Sequence, residues 1–183
     1  AETVITDKSH CSMEATVKEN EIEIYLLTDD LTVVREKAVS RERQEQYGLY
    51  VEKTPGRTSG GSMRVRETIA YQQSDAEPEV SYEFTLKIRD SETGVQDEMN
   101  LPADRDAMQQ FKLVADSSLV KMRYNVPAGL VKYEGAVFEV DVFEHTQTEP
   151  WVKVDLELPE DGHVDGYDLM EAITVIFPTF KDS

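Results

Sequence analysis

Residues 118–143 read SLVKMRYNVPAGLVKYEGAVFEVDVF, and two alternating segments frame a turn. Side chains at i and i+2 of a strand point the same way. Lys121 and Arg123 therefore share one face, with Met122 and Tyr124 on the other. After the Pro127 to Gly135 turn, Glu139 and Asp141 share a face, backed by Val140 and Val142. A cationic doublet is followed by an anionic one, and each lies opposite an apolar face. A short turn between two such strands favours antiparallel pairing.

The same period of two recurs outward in both directions. It predicts strands near 12–18, 20–27, 46–53, 62–71, 79–89, 95–101, 119–126, 137–143 and 152–158. Three stretches read as helices. Residues 29–44 follow the potential caps Asp29 and Asp30 and carry Leu31, Val34 and Ala38. Residues 102–116 start at Pro102, a first-turn residue, and align Ala107, Met108, Phe111 and Val114. Residues 166–176 align Leu169, Met170, Ile173 and Ile176. So many strands in one chain stack as two sheets or close on themselves, and closure removes exposed edges. The expectation is a mainly β (α+β) single domain over 1–183: a closed antiparallel tunnel with a few flanking helices.

Six strands carry a like-charged doublet opposite apolar residues. Glu21 and Glu23 form the first, Arg64 and Arg66 the next. Lys87 and Arg89 follow with Thr85, then Lys121 and Arg123, Glu139 and Asp141, and finally Asp155 and Glu157. An outward face normally mixes signs, because neighbouring like charges repel. An enclosed surface with fixed cations and fixed anions explains the segregation better. Hard metals take oxygen ligands, and phosphate oxygens take Arg and Lys donors. A magnesium polyphosphate needs both.

Composition narrows the classes. The chain has 183 residues and a net charge of −18, from 19 Lys and Arg against 37 Asp and Glu. That charge repels duplex nucleic acid and anionic membranes. Cys11 is the single cysteine, so there is no internal disulfide and no cysteine cluster. No apolar run approaches the roughly 20 residues of a membrane span, and the first residues do not read as a signal peptide. A cytoplasmic protein is expected. The Gly56 to Ser62 stretch lacks the lysine and strand-to-helix context of a P-loop and reads as a hairpin connection. His10, His145 and His163 are isolated and fit no zinc spacing.

In order and spacing the doublets resemble the CYTH domain, the triphosphate tunnel metalloenzyme family. Glu21-Ile22-Glu23-Ile24-Tyr25 resembles its Glu-x-Glu-x-Lys signature, and Arg64-Val65-Arg66 its Arg-x-Arg strand. Thr85-Leu86-Lys87, Lys121-Met122-Arg123-Tyr124 and Glu139-Val140-Asp141-Val142-Phe143 resemble its following strands, and Asp155-Leu156-Glu157 its late Glu-x-Glu. Glu14 and Lys18 offer a second, poorer register for the first signature. Three positions depart from the pattern: Tyr25 stands for the signature lysine, Asp155 for a glutamate, and Gln96, Glu98 and Asn100 form a weakly acidic strand.

The resemblance implies an eight-stranded tunnel that hydrolyses a small-molecule triphosphate with Mg²⁺ or Mn²⁺. It implies Arg64, Arg66, Lys87, Lys121 and Arg123 on phosphate oxygens, and Glu21, Glu23, Asp141 and Glu157 on metal. Glu23 or Asp155 would orient or deprotonate the attacking water, and Tyr25 would stand at a catalytic position. The alternatives are a non-catalytic polyphosphate or nucleotide binder of the same fold and an adenylate cyclase, for which no nucleobase feature is evident.

Overall fold

The computed structural model describes residues 3–8, 11–17, 21–27, 30–51, 59–72, 75–90, 96–129, 134–144, 151–158 and 172–177, with the side chains of 3–27, 59, 96 and 151 excepted. The elements run β1 (Thr3–Lys8), β2 (Cys11–Val17), β3 (Glu21–Leu27), α1 (Thr32–Lys37), β4 (Ser40–Val51), β5 (Ser59–Tyr71), β6 (Glu79–Asp90), β7 (Gln96–Pro102), α2 (Arg105–Lys112), β8 (Ser117–Pro127), β9 (Val137–Phe143) and β10 (Trp151–Glu157). A last helical turn, α3, spans 172–176. The protein is mainly β and antiparallel wherever its strands pair in register. Among the described residues, no helix is long and apolar enough to cross a membrane.

The chain divides into two compact units, Ala1–Arg41 with Lys121–Ser183, and Glu42–Val120, so that β4 and β8 are each split between them. In the first unit the hydrogen-bonded order is β1-β2-β3-β10-β9-β8, and in the second it is β4-β5-β6-β7. In neither unit does the order return on itself among the described residues.

Pairing explains the core of the first unit. Val140 lies opposite Val154, Val142 opposite Val152 and Phe138 opposite Leu156, while Val126 lies opposite Phe138. These residues form one apolar face, closed over by Leu31 and Val34 from the α1 region and by Ala172, Ile173, Ile176 and Phe177 around α3. Burying each large aliphatic or aromatic side chain contributes about 1.5–3 kcal/mol.

The sequence reading of 29–44 as one helix is corrected. α1 ends at Lys37, and the extended Ala38 leads the backbone into β4. Leu31 and Val34 are its buried residues, a stripe too thin to hold four turns against a core. The Val39 amide donates instead to the Asn125 carbonyl at 2.9 Å, which starts the ladder.

In the second unit, Val65 is buried and lies opposite Phe84, whose ring meets Phe111 of α2 edge to face at 6.3 Å. Pro102 closes β7 opposite Glu83 rather than opening a helix. The helix starts one turn later, because Asp104 accepts from the Ala107 amide at 2.7 Å and caps it. Of its expected stripe, Met108 is buried, Phe111 half-buried, Ala107 exposed, and Val114 lies past the last turn. Residues 166–171 of the third expected helix lie outside the described residues, and 172–176 is helical.

Candidate functional site

Residues directly opposite across an antiparallel pair share a face. The register therefore assembles charged rows on the side of each sheet away from its apolar core. In the first unit Arg123 lies opposite Asp141, Asp141 opposite Lys153 and Lys153 opposite Tyr25. The next row runs Asn125, Glu139, Asp155, Glu23. Glu157 and Glu21 stand opposite each other one step further on. Glu21, Glu23 and Tyr25 are thus placed by backbone register; their side chains lie outside the described residues.

Asp141 is the hub of the first row. It is 0% exposed. Arg123 donates to it through Nε at 2.7 Å and Nη2 at 2.8 Å, and the Lys121 ammonium pairs with the same carboxylate. A second Arg123 nitrogen pairs with Glu139 at 2.5 Å. Burial works against the Arg123 charge, but Asp141 and Glu139 outweigh it and push the guanidinium pKa up. Burial likewise opposes ionisation of Asp141, and the hydrogen bonds and charges of Arg123 and Lys121 overcome it, so its pKa is lowered. Glu139 goes the other way: burial, with the charges of Asp141 and Asp155, raises its pKa despite Arg123.

Asp155 is 3% exposed and accepts from the Lys153 ammonium at 2.8 Å. Glu157 is exposed. Of the expected metal residues, Asp141 is engaged by cations, whereas Glu23, Asp155 and Glu139 stand side by side on three neighbouring strands. Directly opposed Cα atoms sit about 4.5–5.5 Å apart. Three carboxylates at that spacing repel one another unless a cation lies among them, and oxygen ligands suit a hard divalent ion. The donor set fits Mg²⁺ or Mn²⁺. Among the described residues no group of three or more acidic, histidine or cysteine side chains is poised around a metal position.

The second unit carries cations with less acid. Arg64 lies opposite Thr85 and Thr85 opposite Asn100. The Arg64 guanidinium donates to the Thr85 hydroxyl at 3.4 Å, which donates to Asn100 at 2.8 Å. Lys87 pairs with Glu98 at 2.9 Å, and this hydrogen bond lowers the Glu98 pKa against the effect of burial. Arg66 donates to the Gln46 amide oxygen at 3.3–3.4 Å. A cavity of about 440 Å³ is lined by Arg64, Thr85, Lys87, Gln46, Ser62 and Ser117 among others.

The expected residues thus form two groups: Arg64, Arg66 and Lys87 on one face of the second unit, and Lys121, Arg123, Asp141 and Asp155 on one face of the first. Sequence reading missed Gln46, Glu98, Asn100 and Lys153 as members of these faces. Lys153 was legible in principle, because it shares the i, i+2 face of Asp155. Its opposite sign hid it from a search for like-charged doublets.

No protein-family profile matches this chain, and no curated protein matches it. A solved structure, that of the PH1819 protein from Pyrococcus horikoshii OT3, is similar at 17% identity and a TM-score of 0.46, covering 88% of this chain and 89% of that one. A likeness of that degree carries no argument about function.

Proposed function

We propose that this chain binds a small-molecule triphosphate and hydrolyses it with Mg²⁺ or Mn²⁺, as a member of the CYTH, or triphosphate tunnel, class. The eight-stranded closed tunnel belongs to the same proposal. The observation that carries it is the cavity walled by Arg64, Lys87 and hydroxyl side chains, a donor set suited to phosphate oxygens. The carboxylate row of Glu23, Asp155 and Glu139 supports the metal requirement.

Glu23 and Asp155 would hold the ion with Glu139, and Glu21 and Glu157 stand at the adjoining register position. A divalent ion bound there would neutralise phosphate charge and orient a water. Arg64, Arg66 and Lys87 grip the polyphosphate, since positioning and electrostatics dominate phosphoryl transfer. The water oxygen bonds to the terminal phosphorus and the bridging P–O bond breaks. Its electron pair leaves on the diphosphate, and a water proton passes to Glu23 or Asp155. Lys121 and Arg123 act through Asp141 and Glu139, holding the acidic row in place.

The test is phosphate release from tripolyphosphate, ATP and thiamine triphosphate with each metal, with products identified by mass spectrometry. Metal-dependent orthophosphate release is expected, and cyclic AMP from ATP would assign the cyclase instead. Absence of both binding and turnover for all three would refute the reading. A second reading, a binder without turnover, is favoured by the neutral Tyr25 at the signature lysine position. Tight binding without release would establish it.

A further inference from the structure

The charged face of the first unit holds three described cations, and they are not equivalent. Lys121 and Arg123 are both anchored on Asp141, with side chains 8% and 15% exposed. Lys153 is the most open of the three, at 21%. It lies opposite Asp141 in register, yet its ammonium runs along its own strand to Asp155, while both oxygens of Asp141 are engaged by Arg123 and Lys121. Asp155 is the middle member of the Glu23–Asp155–Glu139 row. Lys153 therefore places a positive charge at the edge of the acidic row, on a four-carbon stem that can follow a ligand.

On its other side Lys153 lies opposite Tyr25. A phenol has a reference pKa of about 10 and is neutral at pH 7. The β3 position that the signature would fill with lysine brings no charge, and the position facing it across the ladder does.

We propose that Lys153 is a phosphate-contacting catalytic residue: its ammonium binds the terminal phosphoryl oxygens of a triphosphate held at the Glu23–Asp155–Glu139 row, supplying from β10 the charge that Tyr25 does not supply from β3. This rests on the triphosphate reading above and assigns that site a residue the signature does not contain. The contact is electrostatic. The ammonium keeps its proton and its bond to Asp155 lengthens as the phosphoryl oxygens gain charge.

The experiment compares wild type with Lys153→Met, Lys153→Arg and the double variant Lys153→Met with Tyr25→Lys, each confirmed as folded by circular dichroism. The readouts are kcat and KM for phosphate release and calorimetric binding of magnesium tripolyphosphate. Lys153→Met is expected to lower kcat about 100-fold with a much smaller change in KM, the pattern of an interaction made mainly in the transition state. Lys153→Arg should stay within about tenfold of wild type, and Tyr25→Lys should recover at least about tenfold of what Lys153→Met loses. A lysine that served only to neutralise Asp155 would leave the kcat-to-KM split unmoved.

A folded Lys153→Met within about threefold of wild type in kcat/KM overturns the assignment while leaving the triphosphate reading intact. If Lys153→Met does not fold, Lys153→Gln replaces it, keeping a donor toward Asp155 but no charge, with the same expected loss and the same overturning result. If wild type binds tripolyphosphate without turnover, the contact is read from affinity. Lys153→Met should then weaken binding about tenfold, and unchanged affinity overturns the assignment. A wild type that neither binds nor hydrolyses any triphosphate refutes the functional reading, and Lys153 falls with it.

Discussion

Asp141→Asn is the substitution whose cost the structure fixes most tightly. The wild-type carboxylate is fully buried and receives two bonds from Arg123, at 2.7 and 2.8 Å, together with the Lys121 ammonium. Asparagine keeps the shape but removes the charge, and turns one acceptor into a donor aimed at cations. Breaking a buried ion pair by removing one partner costs about 3–5 kcal/mol, because the other charge stays buried uncompensated. Two cations lose their partner here, yet Arg123 retains Glu139 at 2.5 Å. The expected loss is therefore at the lower end, about 3 kcal/mol. At a urea m-value of about 2 kcal/mol/M, that moves the unfolding midpoint down by about 1.5 M with an unchanged slope. Equilibrium urea unfolding followed by tryptophan fluorescence and circular dichroism measures it. A midpoint shift below about 0.5 M would show that the pair contributes little beyond its own desolvation cost, and would refute the hub role of Asp141.

The pH dependence of that gap has a definite sign. The folded pKa of Asp141 lies below its reference value of 3.8, so its contribution is present above that value and is lost as pH falls through the folded pKa. The difference between wild type and Asp141→Asn should narrow at pH 3 relative to pH 7, and a constant gap would disprove the linkage. Glu139 acts oppositely: its folded pKa is raised above 4.5, so its contribution declines as pH rises from 4.5 through the folded value. Gly61→Ala would place a Cβ 2.5 Å from the Lys87 backbone carbonyl, across the β5–β6 pair. Overpacking of that kind costs about 1–3 kcal/mol, a fall in melting temperature of about 5 °C by scanning calorimetry; an unchanged melting temperature would show that the strands shift freely there. Arg64→Ala should weaken tripolyphosphate binding about 10–100-fold, the value of a charged hydrogen bond, and calorimetry showing no change would remove Arg64 from the cavity's anion contacts.

How much of this was legible in the sequence depends on whether an observation is local. Alternation within a strand is local, and it located nearly every strand from β2 to β10 and both members of each charged doublet. Pairing is not local. Nothing in Asp155-Leu156-Glu157 says that its neighbours are β3 and β9, so the row of Glu23, Asp155 and Glu139 emerged only from register. The helical misreadings have the same origin. Residues 40–44 are charged and carry no strand signature, and they extend because β8 offers a partner from Asn125. Pro102 is as acceptable at a strand end as at a helix start, and the Asp104 cap decided between them.

Register also changes what the doublets mean. Taken strand by strand, Lys121 with Arg123 and Glu139 with Asp141 look like separate offerings to phosphate and to metal. Across the ladder they are one neutralised group, with Asp141 holding Lys121 and Arg123, and Arg123 holding Glu139. The sign segregation along the sequence thus produces sign pairing across the sheet, which lets an ionic face be buried on the back of an apolar core at tolerable cost. The charge left to act on a ligand resides where that pairing is incomplete. In the first unit this is the acidic row, where Glu139 is pushed toward protonation by its like-charged neighbours. In the second it is the cavity, where Arg64 leans on a hydroxyl rather than a carboxylate. An anion and a divalent cation are the complementary partners of those two surfaces, which is the pair a metal–triphosphate complex supplies.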